Sequence, residues 1–181
     1  MPVQVYSLYI FDRHTECIYS KQWFETPAPA PSALPHDHHQ QANGNGPAMA
    51  TTAGEQQQQQ QQQPSKPRRN KGADDAKLIF GTVFSLRNMV RKLGGDDDAF
   101  ISFRTSQYKL HYYETPTNLR FALLTEPGAL SMRNVLHQIY INLWVEYVVK
   151  NPLSPVEHKG GEGVRNEMFE LGLDKFIRGL M

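Results

Sequence analysis

The sequence predicts an α+β fold in which a five-stranded antiparallel sheet carries one helix on one face and two on the other. Five short segments are rich in β-branched and aromatic residues, and they are grouped as two and then three around a helical segment. Two more helical segments follow near the C-terminus. Because the strands are apolar on both faces, both must be covered, and three helices suffice.

The first two strands are expected to form an N-terminal hairpin. Residues 3–11 alternate in the manner of a strand and become apolar on both faces toward Phe11, which is typical of a central strand. The tetrapeptide DRHT then supplies a turn, and residues 16–24 form the second strand. The second strand is expected at an edge of the sheet, where its backbone groups need a cover or a partner.

A low-complexity segment separates this hairpin from the rest of the chain. Residues 27–75 contain eight consecutive glutamines, frequent Pro and Gly, and no aromatic residue. Such a composition buries too little apolar surface to offset the roughly 1–2 kcal/mol of backbone entropy lost per ordered residue. We therefore expect a disordered, Pro- and Gln-rich insertion between strand 2 and helix 1, inside a single domain that spans residues 1–181.

The first helix is expected over residues 76–93, where apolar residues recur at spacings of four, three, four and three and two glycines follow: Ile79, Val83, Leu86, Val90 and Leu93. A meander of three strands comes next, over 99–104, 107–114 and 118–125. Apolar residues at helical spacing then predict two helices, over 130–149 and 164–180.

Charge and cysteine content limit the classes of function. The formal net charge is +1, so no overall field attracts the protein to nucleic acid or to an anionic membrane. Cys17 is the single cysteine, which excludes an internal disulfide and fits a reducing cytosol. We expect no signal peptide and no membrane span, since residues 135–149 are too short and are interrupted by polar residues. Any membrane association is then peripheral.

The stretch TSQYKLHYYETPT, residues 105–117, concentrates side chains that catalysis or RNA stacking uses. In a strand, His111 and Tyr113 share one face while Glu114 points to the other, so His111 and Glu114 do not form an acid–base dyad. An RNA-binding sheet needs an open aromatic face, and the predicted helices cover both faces. We therefore expect a structural strand, no catalytic residue and no nucleic-acid partner.

Metal and cofactor sites are also not expected. The tetrapeptide HDHH at residues 36–39 lies in the low-complexity segment and has no neighbouring groups to orient ligands. The glycine-rich KGGEG at 159–163 follows a Pro-rich loop instead of a strand, so it is no phosphate-binding loop.

Two features suggest a surface for a protein partner. On the first helix, an aromatic and arginine flank lies beside the core stripe, formed by Phe80, Phe84, Arg87 and Arg91. On the second strand, alternation places three residues along the expected sheet edge: Thr15, Cys17 and Tyr19. The alternative for the helix is that Phe80 and Phe84 pack against neighbouring loops.

The residues also carry a family resemblance. The segments SLYIFDRHTECIYSKQW, LIFGTVFSLRNMVRKL, FRTSQYKLHYYETPTNLRF and VLHQIYINLWVEYVVKNPL together cover nearly all of the chain outside the insertion. In these segments the chain resembles the longin-like small subunits of the transport protein particle (TRAPP) tethering complex, and most closely those of the subunit 1 type. The resemblance implies a longin-like (profilin-like) fold. The insertion is a departure, because close relatives have a shorter linker there.

The resemblance further implies a function inside a complex. TRAPP looks like a guanine-nucleotide exchange factor for a Rab-type GTPase in endoplasmic-reticulum-to-Golgi transport, and this subunit would be a non-catalytic part of the platform that holds the GTPase. The implied partners are a longin-like subunit of the subunit 4 type and a subunit of a second fold type. The implied location is cytoplasmic, peripheral to endoplasmic reticulum and cis-Golgi membranes. The alternatives are an autonomous longin-type adaptor or SNARE-regulatory module and, third, a stand-alone enzyme.

Overall fold

The computed structural model describes residues 2–25, 71–95, 99–158 and 163–181. The elements in these ranges are β1 (Val5–Phe11), β2 (Cys17–Gln22), α1 (Lys71–Gly94), β3 (Ser102–Arg104), β4 (Lys109–Glu114), β5 (Arg120–Thr125), α2 (Arg133–Gln138), a π-helical segment (Ile139–Val149) that continues α2, and α3 (Glu167–Arg178). Most of the predicted insertion, 27–75, lies outside the described residues. Its last five residues do not, because α1 begins at Lys71 and not at residue 76.

The five strands form one antiparallel sheet in the order β2-β1-β5-β4-β3. All seven residues of β1 are buried, which confirms that a central strand is covered on both faces. The strand β2 lies at one edge, as the sequence predicted, and β3 lies at the other. The α+β prediction is therefore confirmed.

Each face of the sheet has its own apolar cluster. The cluster under α1 combines aromatic and aliphatic strand residues with two residues of α1 and with Phe100, which precedes β3: Tyr6, Tyr9, Phe11, Ala76, Val83, Phe100, Leu110, Tyr112, Ala122 and Leu124. The opposite cluster joins the sheet to α2, the π-helical segment and α3, and its fully buried members include Leu8, Ile10, Phe121, Leu123, Leu136, Ile139, Phe169, Leu173 and Ile177. One helix thus covers one face, and the remaining helices cover the other.

The apolar stripe of α1 is shorter than predicted. Ile79, Val83, Leu86 and Val90 belong to the cluster under α1, but Leu93 is 82% exposed. The stripe ends there because the helix ends one residue later. Gly95 adopts a left-handed conformation with φ 98°, and its N–H donates to the carbonyl of Arg91 at 3.0 Å. This closes the helix as the paired glycines predicted.

The helix predicted over 130–149 differs in two ways. It begins at Arg133, and from Ile139 onward it is π-helical. The Lys150 N–H donates to the carbonyl of Val145, five residues earlier, at 3.0 Å. The apolar stripe of this helix is nevertheless retained: Trp144 and Val148 are buried, and Tyr147 is half-buried against the same cluster.

The helix α3 packs tightly on the π-helical segment at Gly172. A Cβ added at Gly172 would lie 3.0 Å from Leu143 Cδ2 and 3.7 Å from Tyr147 Cε2. We expect Gly172→Val to lower the free energy of unfolding by about 1–3 kcal/mol through overpacking, measured by urea denaturation. Gly81 of α1 is the matched control, since nothing lies within 4 Å of its added Cβ. An equal loss in Gly81→Val would contradict the packing explanation.

Candidate functional site

A groove of about 770 Å³ lies between the first half of α1 and the start of β2. Its floor is apolar and includes Phe11 and Ala76, and small residues of α1, Gly72, Ala73 and Gly81, line the helix side. No atom lies within 4 Å of a Cβ added at Gly72 or Gly81, so these glycines leave open space. The sequence interpretation missed these small residues. Their spacing on the first turns of α1, beside two phenylalanines, is the signal that could have indicated a groove.

Three of the predicted interface residues meet in this groove: Thr15, Cys17 and Phe80. Thr15 is exposed in the turn between β1 and β2, with φ 74°. The Cys17 thiol is partly buried and donates to the carbonyl of Tyr19 at 3.4 Å. Burial raises the pKa of this thiol, so Cys17 contributes a neutral, protonated surface and not a nucleophile.

The two phenylalanines of α1 extend the groove along the helix. The Phe80 ring centroid lies 5.4 Å from that of Phe11 and 5.9 Å from that of Phe84, on which it stacks with an interplanar angle of 26°. Phe80 is thus supported by the sheet, and Phe84 lies over Phe80 with 51% of its surface exposed. An aromatic ring that is held from below and open above is typical of an interface anchor.

The two arginines of the predicted flank have different roles. Arg87 Nε donates to Glu114 Oε2 at 2.8 Å and its terminal nitrogen donates to Oε1 at 3.2 Å, so its guanidinium holds α1 to β4. Arg120 of β5 also reaches Glu114 Oε1, at 3.3 Å. Arg91 is exposed on the same side of α1. Of the two, Arg91 is the one that remains available to a partner.

The placement of Tyr19 on the interface is wrong. Its side chain is 7% exposed and meets the Phe169 ring edge-on at 5.1 Å, on the α3 side of the sheet. The cause is a β-bulge: Phe11 pairs with Cys17 but Ile10 pairs with Tyr19, so Ile18 is an extra residue that shifts the alternation. Burial, with Glu170 and Asp174 nearby, raises the pKa of Tyr19.

The edge of β2 is covered in part. The Val164 N–H donates to the carbonyl of Ile18 at 2.7 Å, so the segment that leads into α3 covers the start of the strand. The Trp23 N–H donates toward β1, to the carbonyl of Tyr6 at 2.8 Å. Alternate residues Ser20 and Gln22 therefore direct their backbone groups outward, and no strand of the described ranges pairs with that side. This short edge borders the groove.

The stretch 105–117 has the structural role that alternation predicted. Leu110 and Tyr112 face α1, whereas Tyr113 lies in the opposite cluster. His111 is 2% exposed: its Nε2 lies 3.0 Å from Thr125 Oγ1, and its Nδ1 accepts the N–H of Met132 at 3.4 Å. Burial, and secondly the charge of Lys109, lowers the pKa of His111 to about 4. Glu114 pairs with Arg87 and Arg120 instead, so His111 and Glu114 do not form an acid–base dyad.

Within the described residues, no group of three or more His, Cys, Asp or Glu side chains is arranged to hold a metal ion. The histidines of HDHH, residues 36–39, lie outside those residues. None of the helices that the structure describes combines the length and the apolar character needed to cross a bilayer.

The site beside α1 therefore consists of an apolar groove, an aromatic ring supported by the sheet and a short strand edge that no strand of the described residues pairs with.

Comparison with known proteins relates the whole chain to one family. The model of the Sybindin-like family matches residues 5–180. The chain belongs to the Sybindin-like family. It is 39% identical over 181 residues to transport protein particle subunit bet5 of Schizosaccharomyces pombe, with 97% of each chain covered. It is 34% identical over 178 residues to trafficking protein particle complex subunit 1 of Homo sapiens, covering 97% of this chain and 93% of the relative.

A third Sybindin-like relative is trafficking protein particle complex subunit BET5 of Saccharomyces cerevisiae, 31% identical over 173 residues, with 94% of this chain and 86% of the relative covered. These matches confirm the resemblance to small TRAPP subunits of the subunit 1 type. Together with the sheet order and the helix positions, they confirm the longin-like fold for this Sybindin-like chain.

Proposed function

We propose that the chain is a core subunit of the TRAPP tethering complex and forms part of the platform for guanine-nucleotide exchange on a Rab-type GTPase in endoplasmic-reticulum-to-Golgi transport. The observation that carries the proposal is the match, over nearly the whole length of both chains, to proteins named as subunits of the transport or trafficking protein particle. A subunit of such an assembly acts through its surfaces, and the groove beside α1 is a surface of the required kind.

The groove and the flank of α1 are assigned to the longin-like partner of the subunit 4 type. Phe84 supplies the apolar anchor, and Arg91 supplies a charged group at its side. The free edge at Ser20 and Gln22 can extend the contact by backbone hydrogen bonds. A subunit of the second fold type and the GTPase complete the set of partners. The protein acts in the cytoplasm, peripherally at endoplasmic reticulum and cis-Golgi membranes.

Exchange by such a complex requires no acid, base or nucleophile from this chain. A GTPase releases its nucleotide when the partner binds the nucleotide-free state more tightly than the loaded state. Rigid surfaces achieve this if they are held in a fixed relative orientation. The buried hydrogen bonds of His111 and the protonated Cys17 thiol agree with a structural role for the groups that catalysis would otherwise use.

A second candidate is an autonomous adaptor or SNARE-regulatory module that binds one extended peptide. The observation in its favour is the position of the groove beside a free strand edge, a combination that binds extended peptides in other folds. Affinity purification of the tagged chain followed by mass spectrometry separates the candidates. A stoichiometric set of TRAPP small subunits supports the first, and a single coat or SNARE protein supports the second.

The Phe84→Asp variant is expected to lose co-purification with the subunit 4 type partner while keeping the far-UV circular dichroism of the wild-type monomer. A carboxylate at the anchor must be desolvated on binding, yet it stays in water in the free subunit because Phe84 is half exposed. The matched control is Leu171→Asp, because Leu171 is an apolar residue of α3 that is 66% exposed, compared with 51% for Phe84.

Nucleotide release from a Rab-type GTPase provides a second test of the proposed function. The purified chain alone is expected not to stimulate nucleotide release from a Rab-type GTPase, whereas the co-purified complex stimulates it. Assembly that is unchanged in Phe84→Asp would remove Phe84 from the interface, and activity of the isolated chain would overturn the subunit assignment.

A further inference from the structure

The side of α1 that faces away from the sheet carries a mixed row of charged, polar and apolar residues. The members recur at helical spacing along α1: Asp74, Lys77, Gly81, Phe84, Asn88 and Arg91. We name them the outer row. All six are exposed except Asp74 and Asn88, which are partly exposed. The buried residues of α1, Ala76 and Val83, point toward the sheet instead, so the core beneath α1 leaves the outer row unused.

The outer row consists of three pairs that share one midpoint, which lies between residues 82 and 83. The pairs are Gly81 with Phe84, Lys77 with Asn88, and Asp74 with Arg91. At about 100 degrees per residue, the members of each pair also lie at equal and opposite angles from one line along the helix. A two-fold axis through the midpoint, perpendicular to α1, therefore brings each residue of one copy opposite its pair member in a second, antiparallel copy.

The central pair has complementary shapes. Phe84 is 51% exposed, and its ring stacks on that of Phe80 with the centroids 5.9 Å apart. Gly81 lines the groove beside α1, and no atom lies within 4 Å of a Cβ added there. In the antiparallel pair, Phe84 of each copy occupies the open space above Gly81 of the other. Two helices approach most closely where a residue has no side chain, so the helices cross at this point.

The terminal pair has opposite charges. Asp74 lies in the first turn of α1 and Arg91 in the last, so within one chain they are about 25 Å apart. No ion pair between the side chains that the structure describes includes either of them. The two-fold axis places Arg91 of each copy beside Asp74 of the other, and Lys77 opposite the uncharged Asn88. A parallel pair of helices would instead place like charges together, which is repulsive.

The type of subunit assigned to this side of α1 is itself related to the chain. Trafficking protein particle complex subunit 4 of Dictyostelium discoideum is 22% identical to it over 98 residues, which cover 54% of this chain and 69% of the relative. A two-fold homodimer uses the same patch on both copies, so a surface that accepts a relative of the chain is suited to self-pairing. Because a contact between two single helices is small, the homodimer is expected to be weak.

We propose that a second copy of the chain docks on the outer row, with the two α1 helices antiparallel, Phe84 over Gly81 and Arg91 beside Asp74. The homodimer forms when no other subunit occupies this side of α1. It shares Phe84 and Arg91 with the surface assigned above to the subunit 4 type partner, so each state excludes the other. The supply of that partner then decides between the homodimer and the larger complex.

Sedimentation equilibrium of the purified full-length chain at low ionic strength, from about 1 to 200 µM, measures the pairing. The wild type is expected to show a monomer–dimer equilibrium. Gly81→Leu fills the space that Phe84 of the second copy occupies, and it is expected to raise the dimer dissociation constant about tenfold or more. Thr82→Leu is the matched control, since it adds the same side chain to an exposed position on another side of α1. Far-UV circular dichroism verifies that both variants are folded.

Charge reversal tests the antiparallel orientation. Asp74→Arg and Arg91→Asp are each expected to weaken the dimer about fivefold, because each places like charges together at both symmetric contacts. The double variant Asp74→Arg/Arg91→Asp is expected to regain the wild-type dissociation constant. The two residues are too far apart in one chain for this recovery to arise within a monomer. Lys175→Asp is the control, since it reverses an exposed cation in the last turn of α3.

A wild-type chain that stays monomeric up to about 200 µM would overturn the inference. So would a dimer that Gly81→Leu does not weaken, or a double variant that does not recover. Each of these results leaves the proposed function standing, since that depends on co-purification with other subunits. Addition of the subunit 4 type partner is expected to dissolve the homodimer. A homodimer that persists with this partner bound would show that the outer row is not the shared surface and would overturn the inference as well.

Discussion

Replacement of Glu114 by glutamine is expected to lower the free energy of unfolding by about 2 kcal/mol, because the change leaves two largely buried guanidinium groups without their anion. The Glu114 carboxylate of β4 accepts hydrogen bonds from the guanidinium groups of Arg87 in α1 and Arg120 in β5. The three side chains are between 16% and 19% exposed, so water replaces the carboxylate only in part. The glutamine side chain keeps the volume and removes the charge.

Urea denaturation of the wild type and Glu114→Gln at pH 7 measures this effect. Glu146→Gln is the matched control, since Glu146 pairs with Lys150 but both side chains are about half exposed or more. Such an exposed pair contributes about 0.5 kcal/mol or less. A double-mutant cycle with Arg87→Met isolates the coupling between α1 and β4. Equal losses in Glu114→Gln and Glu146→Gln would show that the triad does not hold α1 to the sheet.

Acidification is expected to destabilise the wild-type protein by about 3 kcal/mol more than a His111→Gln variant between pH 6.5 and pH 4. His111 is buried as a neutral ring, which lowers its pKa from 6.5 in the unfolded chain to about 4 in the folded one. In this interval the unfolded state binds the extra proton, so stability falls as the pH falls. Well above pH 6.5 the His111 ring is neutral in both the folded and the unfolded chain. There its burial no longer reduces the free energy of unfolding.

The measurement is the free energy of unfolding at several pH values from 7.5 to about 4, with the wild type and His111→Gln compared at each. The variant is expected to be the less stable protein at pH 7.5, because Thr125 and the Met132 N–H lose their imidazole partner. The difference in the free energy of unfolding between the two proteins should narrow as the pH falls. The comparison cancels the carboxylates, which titrate in both proteins. Parallel curves would contradict a buried neutral His111.

The order and type of the elements could be predicted from the sequence because they follow from local periodicity. The alternation over residues 107–114 separated Leu110 and Tyr112 from Tyr113, and the structure places them in opposite clusters. The same reasoning separated His111 from Glu114. A residue that follows one strand-like or helix-like period can be assigned to a face without knowledge of its partners.

The remaining features depend on contacts that no local period contains. The bulge at Ile18 moves Tyr19 to the α3 side, and neither glycine nor proline marks it in the sequence. The second long helix is π-helical from Ile139 onward, whereas the sequence predicted one continuous regular helix. Arg87 was expected to face a partner, but its anion lies 27 residues away in β4. Each error arose where tertiary packing replaced the simple repeat.

The bulge at Ile18 also restricts where the chain can change in length during evolution. A deletion of one residue there would restore regular alternation and turn the rest of β2 over, exchanging the residues that meet α3 with those that meet α1. The hairpin therefore has a fixed residue count. The connection between β2 and α1 is subject to a different constraint, because the cost of closing a connection rises only with the logarithm of its length. A long polyglutamine-containing connection is accommodated after β2, where a single extra residue inside the strand would not be.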